Sequence, residues 1–152
     1  MALRIAPQSA AARHILARIE AHIGNRRRRA PIGGTYVQYA GRTYWSSLCV
    51  SKVSGDELRL RMLVYRIGAA WRQFGPAGYG DLSGKAALAG DQARYTGTGD
   101  FPSCRIELTF SPDGASLEQT GDCGFGYGVR AAGHFERIDT ADGPDCGEHR
   151  LP

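Results

Sequence analysis

The stretch Cys104-RIELTFSPDGASLEQTGD-Cys123 decides the fold. Cys104, Ile106, Leu108 and Phe110 alternate with Arg105, Glu107 and Thr109, the period-two pattern of a strand with one buried and one wet face. Ser111-Pro112-Asp113-Gly114 is a turn in which proline presets φ and Asp and Gly tolerate tight backbone, and apolar alternation resumes through Leu117. If the hairpin is centred between Asp113 and Gly114, Phe110 faces Leu117 and Cys104 faces Cys123. Opposed Cα atoms in an antiparallel pair lie ~4.5 to 5.5 Å apart, within disulfide range, so this register predicts a Cys104–Cys123 bridge. Cys49 and Cys146 are left for a second bridge, and in a reducing compartment all four would be thiols.

The same texture extends upstream. TYVQYAG from Thr35, TYWSSLCVSKV from Thr43 and ELRLRMLVYRIG from Glu57 are rich in aromatic and β-branched residues, with Ser54-Gly55-Asp56 between the last two. Leu58, Leu60, Met62 and Val64 form one face of a strand whose other face carries Arg59 and Arg61. WRQFGPAGYG, from Trp71, reads mostly as loop, with a strand beginning near Asp81 and two short strands flanking Gly90-Asp91. Trp71, Phe74 and Tyr79 are candidates for a binding rim around that loop, or for plugs that close a barrel end.

Before this β-rich region the chain differs in composition. The 152 residues carry a formal charge of +4, yet residues 1–33 hold seven arginines and one glutamate, leaving −2 for the remainder. Ser9 is a helix N-cap, Ala12, Leu16, Ile19 and Ile23 recur at helical spacing, and Gly24 is a natural stop, which predicts an amphipathic helix over 9–23. Arg26, Arg27, Arg28 and Arg29 then lead through Pro31 into Gly33-Gly34, a linker whose charge suits an anionic partner. Four arginines without interleaved stacking aromatics do not make a nucleic-acid recognition surface. The expected organisation is a basic helix and Arg-rich linker over 1–33, a β-domain over 34–139 and a tail over 140–152. No run approaches the ~20 apolar residues of a membrane-spanning helix, and the N-terminal stretch does not read as a signal peptide.

The glycines of GDCGFGYGVRAAGHFER, from Gly121, fit neither a phosphate loop nor a dinucleotide fingerprint, since no lysine follows and Val129, Arg130, His134 and Phe135 continue in strand-like language. The cysteines form no C-x-x-C pair, and the C-x-x-H spacing of Cys146 and His149 lies in a polar tail, so neither a metal site nor a cofactor is expected. Cys123 with His134 is the one conceivable nucleophile pair, but Cys123 has a structural role and no group orients the histidine. The reading is therefore of a non-enzyme.

The chain also resembles a bacterial β-domain found in small exported proteins, including lysozyme-inhibitor lipoproteins of the LprI kind. The resemblance rests on Gly84, Ala86, Leu88, Gly90, Ala93 and Tyr95, on Cys104, Ile106, Leu108 and Phe110, on the Cys123-Gly124-Phe125-Gly126 turn, and on Gly133, Phe135 and Arg137. It covers residues 81–137 well and 34–80 loosely. It implies framework residues without a catalytic set, a periplasmic or secreted location, and a protein partner such as a cell-wall hydrolase that the domain inhibits or senses. The alternative is an intracellular, cytoplasmic interaction protein whose basic N-terminal helix binds an acidic partner or nucleic acid. In either case the fold expected is mainly β, an antiparallel barrel or sandwich of about eight strands preceded by one helix.

Overall fold

A computed structural model describes residues 14–19, 32–76 and 78–139. The chain divides into two units, Met1–Ala30 and Pro31–Pro152. In the first, residues 14–19 form helix α1 within the expected 9–23 span. In the second, β1 (Gly34–Gly41), β2 (Tyr44–Ser54), β3 (Glu57–Arg66), β4 (Gly78–Ala89), β5 (Gln92–Thr96), β6 (Arg105–Phe110), β7 (Gly114–Thr120) and β8 (Gly133–Asp139) follow one another, with the single-turn helix α2 (Trp71–Phe74) between β3 and β4. Every strand pairs antiparallel with its neighbours in sequence, and β8 returns to β1 to close the barrel. An even number of up-and-down strands makes the closing pair antiparallel too, so the barrel has no open edge to attract another strand. No helix among the described residues is long and apolar enough to cross a membrane.

Alternation puts the core inside. Leu48 and Val50 of β2, Leu58, Leu60, Met62 and Val64 of β3, Ile106, Leu108 and Phe110 of β6, and Phe135 of β8 are buried together with Tyr36. Each such side chain contributes roughly 1.5 to 3 kcal/mol by leaving water. An eight-stranded barrel is just wide enough to be filled by side chains, and two glycines adjust the fit. A Cβ on Gly80 would collide with the Phe125 ring, and one on Gly84 with the Tyr95 ring. The inner face of β4 is thus hollowed to admit aromatics from the β7–β8 connection and from β5.

The β6–β7 register differs from the sequence expectation by two residues. Phe110 pairs with Ala115, Leu108 with Leu117 and Arg105 with Thr120. The turn closes one position earlier, by reciprocal Ser111–Gly114 backbone bonds of 2.8 and 3.3 Å, with the Ser111 hydroxyl 2.7 Å from Asp113 Oδ1. A slip of two leaves every side chain on its expected face, whereas a slip of one would have inverted them all. Cys123 is consequently not opposite Cys104 but beyond the end of β7, where Gly121 (φ +73°) turns the chain back. The disulfide Cys104–Cys123 spans a Cα separation of 4.7 Å. Cys49 is disulfide-bonded as well, and Cys146, its expected partner, lies outside the described residues.

Two further expectations are corrected. The first strand of the hairpin at Gly90-Asp91 is twelve residues long and starts at Gly78 rather than Asp81, because it pairs along its length with β3. Val129 and Arg130 are not in a strand: Gly124 and Gly128 take positive φ, Val129 N–H closes a turn on Gly126 O at 3.0 Å, and β8 starts only at Gly133.

Candidate functional site

The two ends of the barrel are built differently, and the candidate site follows from that. At one end lie the tight turns between Ser54 and Glu57, Ala89 and Gln92, and Phe110 and Gly114, together with the start of β1 and the end of β8. At the other lie the β1–β2 turn and three longer connections, residues 67–77, 97–104 and 121–132. Every exposed aromatic of the described barrel belongs to this second end: Tyr39, Trp45, Phe74, Tyr79, Phe101 and Tyr127.

Strand register gathers several of them. Tyr39 pairs directly with Trp45, their rings 5.1 Å apart and tilted by 57°. Tyr65 pairs with Tyr79, and the Tyr44 ring lies 5.2 Å from that of Tyr65. The first four strands therefore carry an aromatic row near their loop ends, with tilted contacts of the kind the ring quadrupoles favour. Trp71, on α2, is half-buried and is approached by the guanidinium groups of Arg42 at 5.0 Å and Arg72 at 5.9 Å. Arg66 stands 5.9 Å from the ring of Tyr127, which is 91% exposed. Arg42 holds its place from the left-handed region, φ 59°, where its carbonyl accepts the Tyr39 hydroxyl at 2.9 Å.

The surrounding loops are held from several directions. Phe125 is tucked against the core, Gly126 N–H donates to Tyr79 O at 3.1 Å, and Asp122 N–H donates to Ser103 Oγ at 3.2 Å. The buried Gln119 accepts the Ala131 N–H at 2.7 Å and donates to Gly121 O at 3.3 Å, bracketing the β7–β8 connection. Arg130 adds a bond to Gln119 O at 2.9 Å. This scaffold presents aromatic and guanidinium groups from fixed backbone.

Charge at this end is arginine-rich. Arg42, Arg66, Arg72, Arg105 and Arg130 stand against Asp81, Asp100 and Asp122. Arg105 is committed to the loop carbonyls of Pro102 and Cys104, and Arg130 to the β7 carbonyl of Gln119. Arg42, Arg66 and Arg72 instead lie over rings, and the ion pairs among the described residues, Lys85–Glu57 and Arg94–Glu107, are on the barrel wall.

The sequence candidates are distributed as follows. Trp71, Phe74 and Tyr79 lie at the same end, Trp71 half-buried under the arginines and the other two exposed, 78% and 60%, which makes these two surface groups rather than plugs. Phe125, by contrast, is partly buried and packed against the core. Arg26, Arg27, Arg28 and Arg29 lie outside the described residues, as does His149. Cys123 is a disulfide sulfur and not a nucleophile. His134 instead has Nδ1 3.5 Å from Ser116 Oγ on the exposed outer face of β7 and β8. Sequence reading passed over Tyr39, Trp45, Arg42, Arg66, Arg72 and Tyr127. For the first pair the signal was incomplete: centring the β1–β2 hairpin on Arg42-Thr43 places Gly41 opposite Tyr44 but Tyr39 opposite Ser46, and it is the register shift between Tyr39 and Gly41 that brings Tyr39 opposite Trp45. No family model, curated protein or solved structure matches this chain.

Proposed function

We propose that this protein is a non-catalytic binding protein whose loop-bearing barrel end engages a protein partner in the cell envelope, and that the partner is a cell-wall hydrolase which it inhibits or senses. The observation that carries the binding reading is the collection of Tyr39, Trp45, Phe74, Tyr79 and Tyr127 with Arg42, Arg66 and Arg72 at one end of a closed barrel. Tyr, Trp and Arg are the residue types that dominate binding energy at protein interfaces, because they bury large area at low entropic cost. Loops fixed by a disulfide and by Gln119 lose little freedom on docking, which favours affinity. A filled barrel needs no catalytic group to obstruct a cleft.

The envelope location is supported by the disulfide chemistry: Cys104, Cys123 and Cys49 are all disulfide-bonded, as suits an oxidising periplasmic or extracellular compartment. The choice of hydrolase rests on the resemblance of residues 81–137 to lysozyme-inhibitor domains.

The test is inhibition of, and direct binding to, lysozyme and other peptidoglycan hydrolases, by the intact protein and by a Phe74→Ala/Tyr79→Ala/Tyr127→Ala variant. The intact protein is expected to inhibit, and the variant to lose at least about 2 kcal/mol of binding, roughly thirtyfold, while keeping its melting temperature. Neither binding nor inhibition by the intact protein would overturn the reading. Deletion of residues 1–30 separates it from the alternative, since binding through the basic N-terminal segment would disappear and be strongly salt-sensitive, whereas binding through the barrel would persist.

A further inference from the structure

Away from the loop end, the outer face of β2, β3 and β4 carries an open groove of about 460 Å³ lined by Cys49, Ser51, Arg59, Arg61, Ser83 and Lys85, with Leu60 and Gly84 at its floor. Its walls follow from register. Cys49 pairs with Arg61 and Ser51 with Arg59, and across β3 Arg61 pairs with Ser83 and Arg59 with Lys85. Small side chains on both flanking strands leave a hollow into which the longer cationic ones can reach.

Folding alone does not account for the charge. Like charges placed directly opposite on neighbouring strands destabilise a sheet, and here Arg59 stands opposite Lys85 with Arg61 two residues further along the same face. Glu57 pairs with Lys85 at 3.0 Å and compensates one of the three. Three cations therefore line the groove, and one of them is ion-paired to Glu57. Arg59 and Arg61 are exposed and appear in neither ion pair of the described residues. Cys49 is disulfide-bonded, so the groove offers no thiolate for a metal and its polar chemistry is that of guanidinium, ammonium and hydroxyl donors.

We infer that the Arg59–Arg61–Lys85 groove is a binding site for a soluble phosphate-type dianion, such as a phosphate monoester or sulfate. Two guanidinium forks on one strand, flanked by two serine hydroxyls, supply more donors than the two oxygens of one carboxylate use, and suit a tetrahedral oxyanion that accepts from several sides. A dianion matches the two guanidinium groups that stand in neither ion pair, and the concave site favours a small solute over a flat membrane surface. Because the arginines are exposed, binding is weak and salt-sensitive.

The experiment is a chemical-shift titration of the full chain with inorganic phosphate at constant ionic strength, repeated with sulfate and with acetate. Saturable shifts are expected at the amides of Ser51, Arg59, Arg61, Ser83 and Lys85, for phosphate and sulfate but far less for acetate. Arg59→Gln and Arg61→Gln are each expected to weaken binding about tenfold, since each removes a charge-assisted pair. Lys52→Gln removes the same charge from outside the groove and should leave affinity within about twofold. Non-saturating shifts, equal weakening by Lys52→Gln, or acetate binding as well as phosphate would overturn the assignment. Cosedimentation with phosphatidic acid/phosphatidylcholine vesicles that Arg61→Gln abolishes would overturn the choice of a soluble ligand in favour of a lipid headgroup. All these surface variants are checked by melting temperature, and none touches the aromatic end.

Discussion

The turn end and the loop end of the barrel use the same eight strands for opposite purposes. At the turn end the chain reverses in as few residues as the geometry permits, as at Ser111–Gly114, and the exposed large apolar groups there are Val53 and Ile138. At the loop end it spends up to twelve residues between strands, exposes six aromatics and then restrains those loops with a disulfide, a buried glutamine and a core-docked phenylalanine. Long connections that are tied down on several sides are worth building only if their surface is used. Short ones need no more than turn chemistry.

The largest test of this contrast removes the loop end's covalent tie. Cys104→Ala/Cys123→Ala opens a loop of sequence separation 19 and is expected to cost about 3 kcal/mol in denaturant unfolding. A loss below about 1 kcal/mol would mean that the packing of the loop end does not depend on it. Gly80→Ala forces the Phe125 ring out of the hollow in β4, with an expected cost of about 2 kcal/mol and altered amide shifts through residues 121–132. Unchanged shifts there would show that Phe125 does not anchor the connection.

Gln119→Ala leaves the buried Ala131 N–H without its acceptor, for about 1 to 2 kcal/mol, and should speed amide exchange at Ala131 while sparing the turn end. At the turn end itself, Ser111→Ala removes a hydroxyl whose 2.7 Å hydrogen bond to Asp113 Oδ1 is exposed, and is expected to cost about 0.5 kcal/mol by thermal unfolding. If it costs more than Gln119→Ala, the two ends are not as unequal as their construction implies.

What was legible in the sequence follows the reach of each interaction. Strand faces were readable because alternation is a local property: Leu58, Leu60, Met62 and Val64, and Ile106, Leu108 and Phe110, are buried as their spacing required. The exact β6–β7 pairing was not, since proline, aspartate and glycine fit either turn centre and both keep the core face inward. The GDCGFGYG stretch showed that a turn was needed but not which strand would receive Phe125, because its berth is made by Gly80, forty-five residues earlier. Trp71, Phe74 and Tyr79 were visible as aromatics in a loop. Their neighbours Arg42, Arg66 and Tyr127 come from three separate connections or strand ends and meet only when the barrel closes.

That closure gives the molecule a seam. Seven of its eight pairings join strands consecutive in sequence, so each closes a connection of at most twelve residues and costs little chain entropy. The eighth joins β1 to β8, and its marker is the Arg137 guanidinium donating to the Tyr36 hydroxyl at 2.8 Å across 101 residues, and lying over the same ring. The folding order expected from this topology is that the meander forms by local steps and the seam zips last, when the largest loop closes. The same order read backwards makes β1 and β8 the first place where the barrel opens, and therefore where slow amide exchange should first be lost under rising denaturant.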